Sequence, residues 1–310
     1  MKKSNTRNTK KKIEEVARGD LRYILEQVGD VDCLVLLETK IDLKKLLSLP
    51  GFSQWCKDKG YNYVYISWSE NEEKGGAGYA GIIVLSKIQA EKVTHGVEGL
   101  DDKEARVMTL RFETYTLVAV YSPCTGYDEV KMRARKKFDK LLSNHLKLLK
   151  KRKNEKIILT GDLNVNPRVQ DSHPLAFLQC AKLKKNSGLR EDPGCSFQEV
   201  SMYHDLVNDF EAVNVWEHLK PNSKQGMTWH STQDRKDRIY TRGQRLDHFV
   251  VSEGFTDGSN NWQVDDIKVF QGVGSSDHCP LLLQLRKRND KHVLQEIGCG
   301  GKNLRNRNGE

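Results

Sequence analysis

Asp162 and Asn164 stand two residues apart where the apolar run Ile157-Ile158-Leu159-Thr160 gives way to Gly161. The β-branched run reads as a buried strand, and Gly161 and Pro167 bracket the turn that must follow it. If strand geometry persists to Asn164, the period of two puts both side chains on one face. A carboxylate able to hold a metal or take a proton then lies beside an amide that donates and accepts. That pairing suits the orientation of a water against a phosphate. Taken alone, the same residues also read as a turn Asp followed by a helix-capping Asn. Their company adds to the first reading. The apolar run 33–37 ends in Glu38, an acid just past a strand's carboxyl end, where open sheets place ligand groups. Asp247 stands near the start of the strand-like stretch 245–252, and Asp277 sits beside His278 just before Leu281-Leu282-Leu283. An imidazole titrating near neutrality can donate to or accept from a phosphate once a carboxylate fixes its tautomer. Adjacent side chains point opposite ways in extended chain, so Asp247 rather than Asp277 is the candidate partner of His278.

The elements that must position these residues follow from periodicity. Residues 1–12 form a polar, Lys-rich arm, and apolar positions from Ile13 to Val28 recur at helical spacing, interrupted at Gly19. Strands are expected over 32–40, 61–68, 106–112, 116–120, 156–162, 245–252 and from 281, with a short aromatic strand at 227–230. The Gly-rich run 75–81 lacks a following Lys-Ser/Thr and leads into a strand (82–86). It therefore reads as a tight approach to that strand, with Lys74 and Tyr79 near a ligand, and not as a phosphate loop. A helix over 129–151 carries a basic run read as a solvated face. Residues 167–200 read as a loop with one helix near 175–183, residues 213–219 as a short helix, and 233–238 as an exposed charged loop. Beyond Lys287 the chain turns polar, and 288–310 is expected to hang free as a tail. No internal repeat or linker divides 13–287, which favours a single domain made either of two packed sheets flanked by helices or of one parallel α/β sheet.

Composition narrows the partners. The 310 residues are 30% charged and 37% apolar, a globular balance, and the net charge of +9 suits a polyanion. No apolar run is long enough to span a membrane, so no membrane partner is expected. The seven cysteines are scattered, without zinc-ligand or Cys-x-x-Cys spacing, and read as reduced thiols of an intracellular protein, nuclear or organellar in a eukaryote and cytoplasmic in a bacterium.

Six stretches in order resemble the exonuclease III-type AP endonuclease family. They are Leu37-Glu38-Thr39-Lys40, Gly78-Tyr79-Ala80-Gly81, Tyr121-Ser122-Pro123, Gly161-Asp162-Leu163-Asn164-Val165, Arg245-Leu246-Asp247 and Ser276-Asp277-His278-Cys279-Pro280. The resemblance implies a four-layer α/β sandwich, DNase I-like, with two packed β-sheets flanked by helices. It also implies a monomer that cleaves double-stranded DNA on the 5′ side of abasic sites with Mg²⁺, for which Mn²⁺ can substitute, and that can carry 3′-exonuclease or 3′-phosphodiesterase activity. By the same resemblance, Glu38 is the principal metal ligand, with Asp277 near the metal. Asp162 positions or deprotonates water, Asn164 holds it, and His278 with Asp247 binds the scissile phosphate. Tyr121 assists at the phosphate or the leaving oxygen, and Tyr79, Arg106, Trp229 and Leu246 contact substrate. Three departures stand out. The family's opening strand, ending Trp-Asn, has no counterpart before Leu21, which predicts an open sheet position and a looser metal site. Cys124 replaces an Asn after Tyr121-Ser122-Pro123. At the positions matched to the family's abasic-sugar pocket stand Thr228, Gln244 and Leu246, beside Trp229, and only the Leu is kept. These departures leave open a broader nuclease of retroelement type and, in another class, a DNA-binding scaffold with weak catalysis.

Overall fold

Alternation along single strands divides the apolar residues between two faces, and that division builds the layers. In β1 (Cys33–Leu37), Cys33, Val35 and Leu37 join the central core, whereas Leu34 and Leu36 join an outer one. In β6 (Thr116–Tyr121), Leu117, Ala119 and Tyr121 turn inward, and Val118 and Val120 turn out. Two sheets each carrying two apolar faces must be covered on both, which gives four layers.

The computed structural model describes residues 21–49, 51–126, 128–152, 155–172, 193–231, 243–274, 276–288 and 290–300. The basic arm, the helix start before Leu21, the helix near 175–183 and the loop 233–238 lie outside them. The first sheet has the order β10 (Trp262–Val269), β11 (Leu281–Lys287), β12 (Asp290–Gly300), β1, β3 (Ile82–Ser86), β2 (Tyr63–Ser67). The second runs β4 (Lys92–His95), β5 (Val107–Arg111), β6, β7 (Ile157–Asp162), β9 (Asp247–Ser252), β8 (Ala212–Asn214). Both sheets mix parallel and antiparallel pairs, so of the two architectures open to the sequence the sandwich is the one formed.

The outer face of the first sheet is covered by α1 (21–28), α2 (Leu43–Leu47) and α3 (Phe52–Asp58), through Leu21, Leu25, Leu46, Phe52 and Cys56. The second is covered by α4 (Glu129–Lys150) and α5 (Phe197–Asp209), through Phe138, Leu142, Leu146, Tyr203 and Leu206. A sixth helix, α6 (Val215–Leu219), follows β8 directly. The sequence reading missed α5, although Ser196 and Glu199 form a capping box at its start, a signal present in the string Ser-Phe-Gln-Glu.

Four expectations need correction. Residues 290–300 do not hang free: they form β12, antiparallel to β11 and parallel to β1. Consequently β1 has partners on both sides and the first sheet has no open position beside it. Residues 227–230 make only isolated bridges, through Trp229 to Gln244 and to His278, because three segments distant in sequence meet there too briefly for a ladder. Finally, the basic run of α4 is not wholly solvated. Arg135 is buried, in helical register with Phe138 and Leu142 on the packed face.

Candidate active site

Asp162 is the last residue of β7 and shares inward parity with Ile158, so its carboxylate is buried between the sheets at their common end. The strand stops there. Asn164 has φ +48°, and it meets Asp162 by folding back and not by strand alternation. Its backbone N–H donates to Asp162 Oδ1 (2.9 Å) and its Nδ2 donates to Oδ2 (3.2 Å) and to the Ser122 carbonyl (2.8 Å). Both carboxylate oxygens are thereby held in plane. Left-handed backbone at a residue other than Gly is costly, and it recurs at Glu38 (φ +49°) and Lys40 (φ +54°) on the facing loop.

Arg135 braces this turn from behind. Its Nη2 donates to the Leu163 carbonyl (2.7 Å), Nη1 to those of Pro123 (2.9 Å) and Asn164 (3.4 Å), and Nε to Asp139 (2.8 Å). Arg135→Met is expected to cost about 3–5 kcal/mol, because Asp139 is left as an uncompensated buried charge. It should also lower turnover, since the Asn164 turn loses its support. Urea denaturation measures the first effect and steady-state rates the second.

His278 lies between two acids. Its Nδ1 is 2.7 Å from Asp247 Oδ2, and its Nε2 is 3.8 Å from Asp162 Oδ2, with all three side chains buried. Thr228, matched in sequence to a sugar-pocket wall, has a different place. It is fully buried, and its hydroxyl accepts from the N–H groups of Leu246 and Asp247 (3.0 Å each) while donating to the Asp247 carboxylate. Burial alone would raise the Asp247 pKa. The charge and hydrogen bond of His278, then the Thr228 hydroxyl, outweigh burial and hold it below the usual carboxylate value. A depressed folded-state pKa contributes stability that is present above the unfolded value, near 3.8, and is lost as pH falls through the folded one. The melting temperature is therefore expected to fall below about pH 4, and Asp247→Asn should lack that share of the fall. Calorimetry from pH 6 to pH 3 checks it.

Glu38 follows β1 directly, is buried, pairs with Lys40 Nζ at 3.1 Å and accepts from the Tyr121 hydroxyl. Burial, then the charges of Glu38 and Asp162, push the Tyr121 pKa far up, so Tyr121 is a donor here and not a phenolate. Arg106 stacks over the Tyr121 ring at 4.5 Å, donates to Tyr79 Oη and to the Tyr121 carbonyl (3.0 Å each), and pairs with Glu104 at 2.6 Å. Tyr79 and Arg106 thus converge on Tyr121, whereas Lys74 is engaged by Glu104 at 2.7 Å.

Asp277 is turned aside. Its Oδ2 accepts from Trp229 Nε1 (3.1 Å), and Trp229 lies half-buried at the rim beside His278. Leu246 is buried, packed near Gly194. Cys124 is exposed. Among the described residues, the acid and histidine side chains close enough to share one ion are Asp162, Asp247 and His278, with ligand atoms within 4.8 Å of one another. Buried carboxylates with an imidazole are a donor set that suits a hard divalent cation, so the centre fits a metal, with Glu38 and Asp277 outside the tightest group.

Arg135 and the buried Arg245–Asp171 pair, which fixes the approach to β9, were given no role from sequence, and Thr228 was named there only at a sugar-pocket position. Only Arg135 left a signal there, its spacing of three and seven from Phe138 and Leu142.

A four-layer α/β sandwich with acids and a histidine gathered at one end of its strands defines the class of molecule. More particularly, the sequence profile of the endonuclease/exonuclease/phosphatase family matches residues 14–278, and the chain belongs to that family. A DNA-(apurinic or apyrimidinic site) endonuclease of Arabidopsis thaliana is 30% identical over 88% of this chain and 73% of its own. An exodeoxyribonuclease of Bacillus subtilis is 29% identical over 85% and 90%. Two Plasmodium endonucleases of the same designation as the plant relative are 29% identical but longer, and the chain spans only 43% and 38% of their length. In fold, the chain is similar to a 3′-5′ exonuclease of Neisseria meningitidis, with TM-score 0.66, 22% identity and coverage of 86% of this chain and 94% of the other.

Proposed function

We propose that the chain is a Mg²⁺-dependent DNA phosphodiesterase that cuts on the 5′ side of abasic sites, with 3′-exonuclease or 3′-phosphodiesterase activity beside it. The observation that carries this is the line Asp247–His278–Asp162, in which the imidazole is fixed through Nδ1 at 2.7 Å and presents Nε2 toward a second carboxylate. Support also comes from the family membership and from relatives named for abasic-site endonuclease and exodeoxyribonuclease activity.

In this reading the Asp162 carboxylate, held in plane by Asn164, accepts a proton from water as the water oxygen attacks phosphorus. The phosphorus–O3′ bond breaks with its electron pair on O3′, which takes up a proton from solvent, leaving a 3′-hydroxyl and a 5′-deoxyribose phosphate. His278 donates through Nε2 to a non-bridging phosphate oxygen, and Asp247 keeps its ring oriented and stabilises its charged form. The protonated Tyr121 hydroxyl supplies a further donor at the phosphate. Glu38 and Asp162, whose charges both act on the Tyr121 hydroxyl, would hold Mg²⁺; Asp277 would join only by releasing Trp229. The ion supplies positive charge against the charge that accumulates on the phosphate oxygens.

Incubation with a duplex carrying one abasic analogue, with Mg²⁺ or with EDTA, tests this. Single incision 5′ to the analogue, abolished by EDTA, is expected. Equal cutting of undamaged duplex would favour the broader nuclease, and salt-sensitive binding without any cutting would favour the scaffold.

A further inference from the structure

β12 occupies a position in the first sheet that gives it a task beyond closing the sheet. The strand that delivers Glu38, β1, and the strand that begins three residues after His278, β11, are not paired with each other; β12 lies between them and is paired to both. The two strands are thus held two strand spacings, about 10 Å, apart by the one strand between them.

Its register is pinned at three places. At the far end the Asp32 N–H donates to the Glu296 carbonyl, and the Glu296 N–H donates to Asp32 Oδ2, both at 2.9 Å. Gln295 Nε2 donates to Tyr115 Oη (3.0 Å), and Ile297 and Cys299 are buried in the inter-sheet core with Val35 and Phe249. At the near end Gly300 lies opposite Leu36, two residues before Glu38. A Cβ built at Gly300 would stand 3.0 Å from Pro280 Cα and 3.5 Å from Pro280 N, on backbone two residues after His278. A side chain at 300 therefore presses on the segment that carries His278, which must give by a few tenths of an ångström for the Cβ alone.

We propose that β12 is the positioning strand of the catalytic centre, setting Glu38 against His278, and that Gly300 is the positioning residue through which it acts. The proposal rests on the reading of Glu38 and His278 as two arms of one phosphodiesterase centre.

Two measurements on the full chain test it, one independent of activity. In hydrogen exchange, the amides of 294–300 are expected to be protected as strongly as those of β1 and β11. Exchange at the rate of an unstructured peptide would overturn the proposal whatever the enzyme does. In steady-state kinetics on the abasic-analogue duplex with Mg²⁺, Gly300→Val is expected to lower kcat about 100-fold with KM within about twofold, the pattern of displaced reacting groups. Leu294→Thr, at an exposed position on the same strand, should keep the parent's kcat. A parent-like kcat for Gly300→Val overturns the proposal. Should that variant fail to fold, Gly300→Ala carries the same test with an expected loss of about tenfold, and a parent-like rate there overturns it equally. A parent chain that cuts no duplex at all sinks the phosphodiesterase reading and leaves the exchange experiment to decide the role of β12.

Discussion

His278→Ala lowers turnover of the abasic-analogue duplex by about 10³-fold or more, while the Kd for uncleaved duplex stays within about threefold. The size follows from the several things the imidazole does at once. It is 3% exposed, so its interactions are not shared with bulk water, and its Nδ1 bond to Asp247 at 2.7 Å holds one ring orientation. Removing it takes away the donor at the phosphate and leaves Asp247 buried without its nearest ion-pair partner, with the Thr228 hydroxyl and the more weakly acting His248 remaining. The second consequence lowers stability too, by about 3 kcal/mol, the usual result of stranding a buried charge. Rates must therefore be measured well below the variant's melting temperature. His278→Asn separates the effects: it restores a donor toward Asp247 and with it much of the stability, but little of the rate. Asp162→Asn makes the complementary test, since an amide fills the same volume and cannot accept a proton. Its loss should equal that of His278→Ala within about tenfold. Turnover within tenfold of the parent in either His278→Ala or Asp162→Asn would remove the roles given to both residues.

Much of this centre was legible before any coordinates, because each of its residues sits at a strand end that the apolar pattern announces. Glu38, Asp162 and Asp247 each flank a run of buried aliphatics, and the layers follow from the same alternation. The choice of Asp247 as partner to His278 came from the opposed directions of adjacent side chains, and the two side chains meet at 2.7 Å. What sequence could not supply was long-range pairing. Nothing in 290–300 (polar at its start and glycine-bearing at its end) marks a strand that belongs between two others; its burial is set by β1 and β11, not by its own composition. The place of Thr228 was out of reach of the sequence for a related reason. A matched position does not say which way a side chain points, and its hydroxyl is drawn inward by the two N–H donors at the start of β9. Asn164 was placed beside Asp162 for a wrong reason, since strand continuity does not reach it and a left-handed turn does the work.

Gly161→Ala should be the most damaging methyl added to any of the described glycines, with the shortest Cβ contact among them. Gly161 lies inside β7, paired on one side with Val120 of β6 and on the other with His248 of β9, and its φ is +139°. A Cβ there would fall 1.9 Å from the Val120 carbonyl oxygen and 2.9 Å from its carbon. The obstacle is backbone in a neighbouring strand, so no rotamer change relieves it. Relief requires opening the β6–β7 ladder or rotating the peptide that leads into Asp162. The expected cost is at least about 4 kcal/mol, combining overpacking with disfavoured backbone, or a melting temperature lower by about 10 °C. Whatever fraction remains folded should turn over at least about 100-fold more slowly, because the relief that costs least moves the catalytic carboxylate. Gly75→Ala is the matched control: φ is +95° but nothing lies within 4 Å of its built Cβ. It carries the backbone cost alone, about 1 kcal/mol, and leaves Asp162 in place, so its turnover should match the parent's. Thermal melts and rates of the two variants side by side then isolate the clash from the conformation. A Gly161→Ala chain melting within 3 °C of the parent would mean that β6 and β7 are not paired at the catalytic end as described.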